Sequence, residues 1–118
     1  MESMDGATFT AIRHLLGVGT QELAELLPAG RDGRSVGTRT LRDWAAGTLP
    51  IPPRIADHMW MLLDQHTHTV EHLPPAERFL LPRRYPGLRD GLPHSWWIGV
   101  AARHLERYPT TPIHWDTP

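Results

Sequence analysis

The sequence predicts a mainly α-helical protein: a four-helix N-terminal domain over residues 1–72, followed by a small proline-rich C-terminal extension, 73–118, that ends in a helix. Three observations carry this. Apolar residues recur at helical spacing in four segments between Thr8 and His72; glycine or proline closes each segment; and prolines then crowd into Leu73 to Pro93.

Taken in order, Phe9, Ile12, Leu15 and Leu16 mark one face of a first helix, which Gly17 and Gly19 end. Gly19 then serves as the N-cap of a second helix, with Glu22 reaching back to its amide and Leu23, Ala24, Leu26 and Leu27 forming the buried face. That helix stops near Pro28, because proline disfavours helical geometry in the residue before it. Ala29 to Gly37, "AGRDGRSVG", is glycine-rich and charged and reads as a loop. Thr38 opens a third helix with a hydroxyl cap or first-turn contact; Leu41 and Trp44 point inward, and Gly47 supplies a left-handed C-terminal cap. Pro53 suits the first turn of a fourth helix, whose stripe of Ile55, Met59, Leu62 and Leu63 runs to His66 or beyond.

The extension begins near Leu73-Pro74-Pro75. Its prolines forbid long helices but permit an extended arm that packs Phe79, Leu80, Leu81 and Tyr85. Ser95 caps a last helix, on which Trp97, Ala101, Leu105 and Tyr108 share a stripe while Trp96 lies off it. Two uses of this helix stay open: packing back on helix four, or a homodimer interface formed by Trp96, Trp97, Ala101, Leu105 and Tyr108, since aromatic residues are favoured interface anchors. The tail "TTPIHWDTP" ends as a short strand or stays loose.

Bulk composition narrows the class. At 118 residues the chain holds one core or one small domain with an appendage. A formal charge of -1 and 40% hydrophobic content describe neither a basic nucleic-acid tail nor a disordered acidic one, so any clue to a partner lies in local charge. The basic residues are all Arg. Without cysteine there is no disulfide, thiolate nucleophile or cysteine-ligated zinc. The first thirty residues carry Asp5, Glu22 and Glu25 and no apolar run suited to a signal peptide or membrane span, so a cytoplasmic protein without membrane contact is expected.

"TQELAELL" followed by "LRDWAAGTLPIP" resembles the helix-turn-helix of phage-repressor-like (Cro/XRE-type) regulators, which often read L-A-x-x-L-G-V-S-x-x-T-V-x-x-W-x-x-G-x-x-x-I-P. The matching residues are Leu23, Ala24, Leu27, Val36, Thr40, Leu41, Trp44, Gly47, Ile51 and Pro52, within a span from Thr8 to Leu63. Two departures stand out. Gly19-Thr20 replaces the usual Thr-Gln pair that opens helix two, so the glutamine's contact to the DNA backbone is lost or passes to Thr20 or Gln21. About seven extra residues separate Leu27 from Val36, where the family keeps a short turn. Beyond Leu63 the layout is faintly similar to anti-CRISPR-associated and other small phage-type regulators, which follow a helix-turn-helix with a small dimerisation part.

The resemblance implies that the third helix lies in the major groove of double-stranded DNA. Thr38, Arg39, Thr40 and Arg42 then occupy its first turns, with Arg39 and Arg42 suited to guanine O6 and N7. Asp43 accepts from cytosine N4 or pairs with a neighbouring Arg, and Arg31 and Arg34 in the loop reach phosphates as an arm or are simply solvated. The weak net charge implies that tight binding needs base contacts or dimerisation. The function expected is a sequence-specific transcriptional regulator, a repressor, that occludes a promoter as a homodimer on a partial palindrome. The alternative is a phage or mobile-element interaction module whose helix-turn-helix scaffold binds a host protein.

Other chemistry is thinly represented. His68 and His72 stand at i and i+4 beside His66, a spacing that can grip a metal ion, but Glu71 lies on another azimuth and a polar helix end is by far the better explanation; no metal or other cofactor is expected. His14, His58, His94, His104 and His114 show no ligand spacing and read as surface or half-buried. No nucleophile–base pair, phosphate loop or carboxylate pair with recognisable surroundings is present, so no enzymatic activity is expected.

Overall fold

The computed structural model describes residues 4–29, 33–73, 79–81 and 92–115. Helix α1 (Gly6–Leu16) starts where Asp5 Oδ1 accepts from the Thr8 amide at 2.7 Å, and ends where Gly17 takes φ 79°. Phe9, Ile12 and Leu16 face the core; Leu15, predicted to join them, is 43% exposed because it lies one residue round from the stripe. Helix α2 (Thr20–Leu26) begins as the sequence predicts, with the Gly19 amide donating to Glu22 Oε1 at 2.9 Å.

Helix α3 (Thr38–Ala46) is capped by Gly37, not by the Thr38 hydroxyl, and Thr38 becomes its first residue. Its end is the predicted one: Gly47 at φ 81° returns its amide to the helix carbonyls. Helix α4 (Pro53–Glu71) opens on proline and runs five turns, burying Ile55, Met59, Leu62, His66 and Val70. The loop and α2 are tied to its start, where His58 Nε2 donates to the Leu26 carbonyl at 2.9 Å.

Helix α5 (His94–Arg107) corrects two expectations. Its N-cap is Pro93, and the Ser95 hydroxyl instead donates to Glu22 Oε2 at 2.7 Å, so one carboxylate caps α2 and fastens α5 to it. The buried face is Trp96, Trp97, Val100, Ala101 and His104, with Trp96 fully buried, while Leu105 and Tyr108 are half-buried. The helix is rotated from the predicted stripe because α4, α1 and the strand at Phe79–Leu81 all pack against it. Packing back on helix four is therefore what the chain does with Trp96, Trp97 and Ala101; enclosed in its own core, they offer no surface to a second copy. A single apolar cluster runs from Met4 to Ala101 and does not divide at Leu73.

Glycine permits the α1–α5 approach. A Cβ on Gly99 would stand 2.8 Å from the Leu16 carbonyl oxygen and 3.2 Å from His66 Nε2. Strand β1 (Phe79–Leu81) pairs in parallel with β2 (Ile113–Trp115), Phe79 opposite Ile113 and Leu81 opposite Trp115, and α5 forms the crossover between them. Ile113–Trp115 of the tail thus form a strand, and Phe79–Leu81 of the predicted arm are its partner; Tyr85 lies outside the described residues.

His66 is the polar centre of the α4–α5 seam. Arg103 donates to its Nδ1 at 2.9 Å and to Thr67 Oγ1 at 3.0 Å, which leaves Nε2 to carry the proton toward the Trp96 carbonyl at 3.3 Å. Burial first, and the Arg103 charge second, lower its pKa to about 4, against the pull of the Trp96 carbonyl. Above pH 6.5 the ring is neutral folded or unfolded. As pH falls below that, only the unfolded chain takes up the proton, so stability declines until the folded ring titrates near 4. Allowing for solvent screening, denaturation at pH 7 and pH 5 is expected to differ by about 1–2 kcal/mol on this account, with His66→Gln removing that increment. An equal slope in the variant contradicts the buried neutral ring.

Candidate nucleic-acid interface

Leu41 and Trp44 hold α3 in place. Both are buried, and the Trp44 ring meets Phe9 of α1 edge-on, with centroids 6.1 Å apart and planes at 75°. Fixing these two side chains inward turns Arg39 and Arg42 outward by helical periodicity. Both guanidinium groups are exposed and make no ion pair or hydrogen bond among the described residues. Thr38 and Thr40 are half-buried beside them.

The structure brings some predicted residues together and separates others. Thr20 of α2 and Arg42 of α3 line one open groove of about 360 Å³ with Thr10 and Arg13 of α1. Arg13, which the sequence reading did not select, donates to the Val18 carbonyl at 3.0 Å. Its signal was its place four residues after Phe9, at the edge of the buried face. Gln21 is exposed at the start of α2. Arg34 is exposed in the loop, and Arg31 lies outside the described residues.

Asp43 has a local role. Its backbone carbonyl and Oδ1 accept from Thr48 Oγ1 at 3.1 and 3.3 Å, so the side chain closes the C-terminal turn, and no Arg pairs with it among the described residues. The loop lengthens the link between α2 and α3 to residues 27–37, yet the two helices still pack together, with Val36 against the core. Closure entropy grows slowly with loop length, which is why such an insertion is tolerated.

The histidines do not converge. His66 turns inward, whereas His68 and His72 stack at the exposed end of α4 with ring centroids 3.9 Å apart, His72 Nδ1 donating to the His68 carbonyl at 2.8 Å. Among the described residues no three His, Cys, Asp or Glu side chains are placed to hold a metal ion. Nor is any described helix long and apolar enough to cross a membrane.

Compared with known protein families, with curated proteins and with solved structures, the chain gives no match.

Proposed function

We propose that the protein is a sequence-specific DNA-binding transcriptional regulator, a repressor that lays α3 in the major groove and acts as a dimer on a partial palindrome. The observation that supports this most is the exposed pair Arg39 and Arg42, without a partner among the described residues, on a helix whose opposite face is anchored by Leu41 and Trp44. An outward-facing arginine of this kind is ready to give two hydrogen bonds to one guanine. Arg13 and Thr20, which share a groove with Arg42, supply a second, backbone-directed set of donors, which fixes register without reading sequence. Arg13 contributes through the guanidinium hydrogens left over from its bonds to the Val18 carbonyl and the His14 ring. Dimerisation in this reading uses exposed faces, because Trp96, Trp97 and Ala101 are enclosed by the chain itself.

The two sets of donors are separable by salt. On a bound duplex, losing a base-reading arginine is expected to weaken binding by about 1–3 kcal/mol and to relax preference at its base pair. Losing a phosphate-directed arginine lowers affinity for all sequences and reduces the salt slope by about one. Titrations of labelled duplex with Arg39→Ala, Arg42→Ala and Arg13→Ala at several salt concentrations check this. Binding of all three variants indistinguishable from that of the unaltered protein overturns the reading.

A further inference from the structure

The outer face of α4 takes no part in the DNA reading. Ile55, Met59, Leu62, His66 and Val70 turn inward; on the opposite side Trp60 and Met61 each stand 50% exposed, with Asp57, Asp64 and Glu71 exposed around them. The three carboxylates recur every seven residues, so they lie along nearly one line of the helix, each about 10.5 Å from the next. Trp60 and Met61 flank that line one turn beyond Asp57. None of the three carboxylates makes an ion pair or hydrogen bond among the described residues. Singly exposed apolar residues are ordinary on any surface. Two large adjacent ones set along a row of carboxylates, broken by exposed His68 and preceded by Arg54, which donates to the Ala29 carbonyl, form a patterned surface.

Charge decides the occupant. Nucleic acid and anionic lipid are repelled by the row. A second copy laid antiparallel about a two-fold axis between residues 60 and 61 sets Trp60 on Met61 but brings Asp57 against Asp64 at both ends, a like-charge juxtaposition that opposes self-association. A helix with apolar residues along one stripe and Lys or Arg repeating every seven residues satisfies both features at once: its apolar stripe covers the indole and thioether, and its cations meet the three carboxylates. We propose that the outer face of α4 docks a basic amphipathic helix of a partner protein, through Trp60 and Met61 as apolar anchors and Asp57, Asp64 and Glu71 as the matching charges.

The probe is a synthetic peptide of two leucine–lysine heptads, with its leucine–glutamate counterpart as control, titrated into the full chain. The lysine peptide is expected to bind and the glutamate peptide not to. Trp60→Ala/Met61→Ala should weaken binding at least about tenfold. Asp57→Asn/Asp64→Asn/Glu71→Gln, which preserves side-chain shape, should weaken it and remove most of its salt dependence. Arg39→Ala/Arg42→Ala should bind the peptide as the unaltered protein does, which separates this surface from α3. The proposal is overturned if the lysine peptide fails to bind, if both peptides bind alike, or if neither α4 variant changes the affinity. Sedimentation showing a dimer that Trp60→Ala dissociates also overturns it, by giving the face to a second copy.

Discussion

Trp96→Ala is expected to lower the unfolding free energy by about 3–5 kcal/mol, the range for emptying a buried large aromatic site. Trp96 is the largest fully buried side chain among the described residues, it meets the His66 ring edge-on at 4.7 Å between centroids, and its backbone carbonyl holds the proton on His66. For a chain of this size the loss corresponds to a fall in Tm of roughly 10–25 °C. Since total stability is typically about 5–15 kcal/mol, a measurable unfolded fraction follows at physiological temperature. Trp96→Phe refines the test. The indole Nε1 is buried without a hydrogen-bond partner among the described residues, and an unsatisfied buried donor costs about 1–3 kcal/mol. Phenylalanine removes that donor and keeps an aromatic edge against His66, so its loss should be well under half that of alanine. Equal Tm values for the two variants would contradict this account of the seam.

Gly99→Ala sets two effects against each other. Helix propensity alone favours alanine by about 1 kcal/mol. Packing opposes it, because the new Cβ would stand 2.8 Å from the Leu16 carbonyl oxygen and 3.2 Å from its carbon. Those are backbone atoms of another helix and cannot swing aside as a side chain can, so α1 and α5 must separate. Forced separation of packed elements costs about 1–3 kcal/mol, and the net sign is destabilising. Gly99→Val should be worse still, since its branches enter the same contact. Thermal melting of both variants checks the order; a higher Tm for Gly99→Ala would mean that the helices do not meet back to back.

The parts of the fold legible in the sequence were those fixed by local rules. Gly17 and Gly47 in left-handed caps, Glu22 on the Gly19 amide and Pro53 opening α4 each follow from a few neighbouring residues. What depended on distant partners was not legible in the same way. Ser95 satisfies the local rule for an N-cap, yet its hydroxyl finds Glu22, seventy-three residues away in sequence. Trp96 lies off the tidy stripe of Trp97, Ala101 and Leu105; coverage by α1 and β1 as well as α4 widens the buried face and turns it.

Histidine was the most misleading residue type. His66 continues the stripe of Ile55, Met59 and Leu62 at the next helical step, so its burial was there to be read, but its cluster with His68 and His72 drew it into a polar helix end. His104 is buried on α5 with Nε2 3.1 Å from Thr111 Oγ1, joining helix to tail, and no spacing signals that contact. At the candidate interface, the outward direction of Arg39 and Arg42 followed from the inward anchors Leu41 and Trp44. The closure of Asp43 onto Thr48 did not, because a capping turn and a base contact use the same carboxylate oxygen. The groove shared by Arg13, Thr20 and Arg42 joins three helices and becomes visible once they are packed.

These placements divide the surface by charge. The α3 face carries cations and the α4 face carboxylates around two apolar side chains, each unpaired among the described residues, and the core between them is tied through Glu22, Ser95, His66 and Arg103. In the function proposed above, α3 reads DNA and the outer face of α4 meets a basic partner. Substitutions at Trp60 and Met61 should then leave DNA selectivity unchanged.

The central claim is that α3 reads base sequence. Selection of bound sites from a random duplex library at moderate salt, run beside Arg39→Ala/Arg42→Ala, tests it most directly. The expected result is a recovered motif with two inverted half-sites, absent from the variant. Recovery of no motif by the unaltered protein, or of the same motif by the variant, would contradict it.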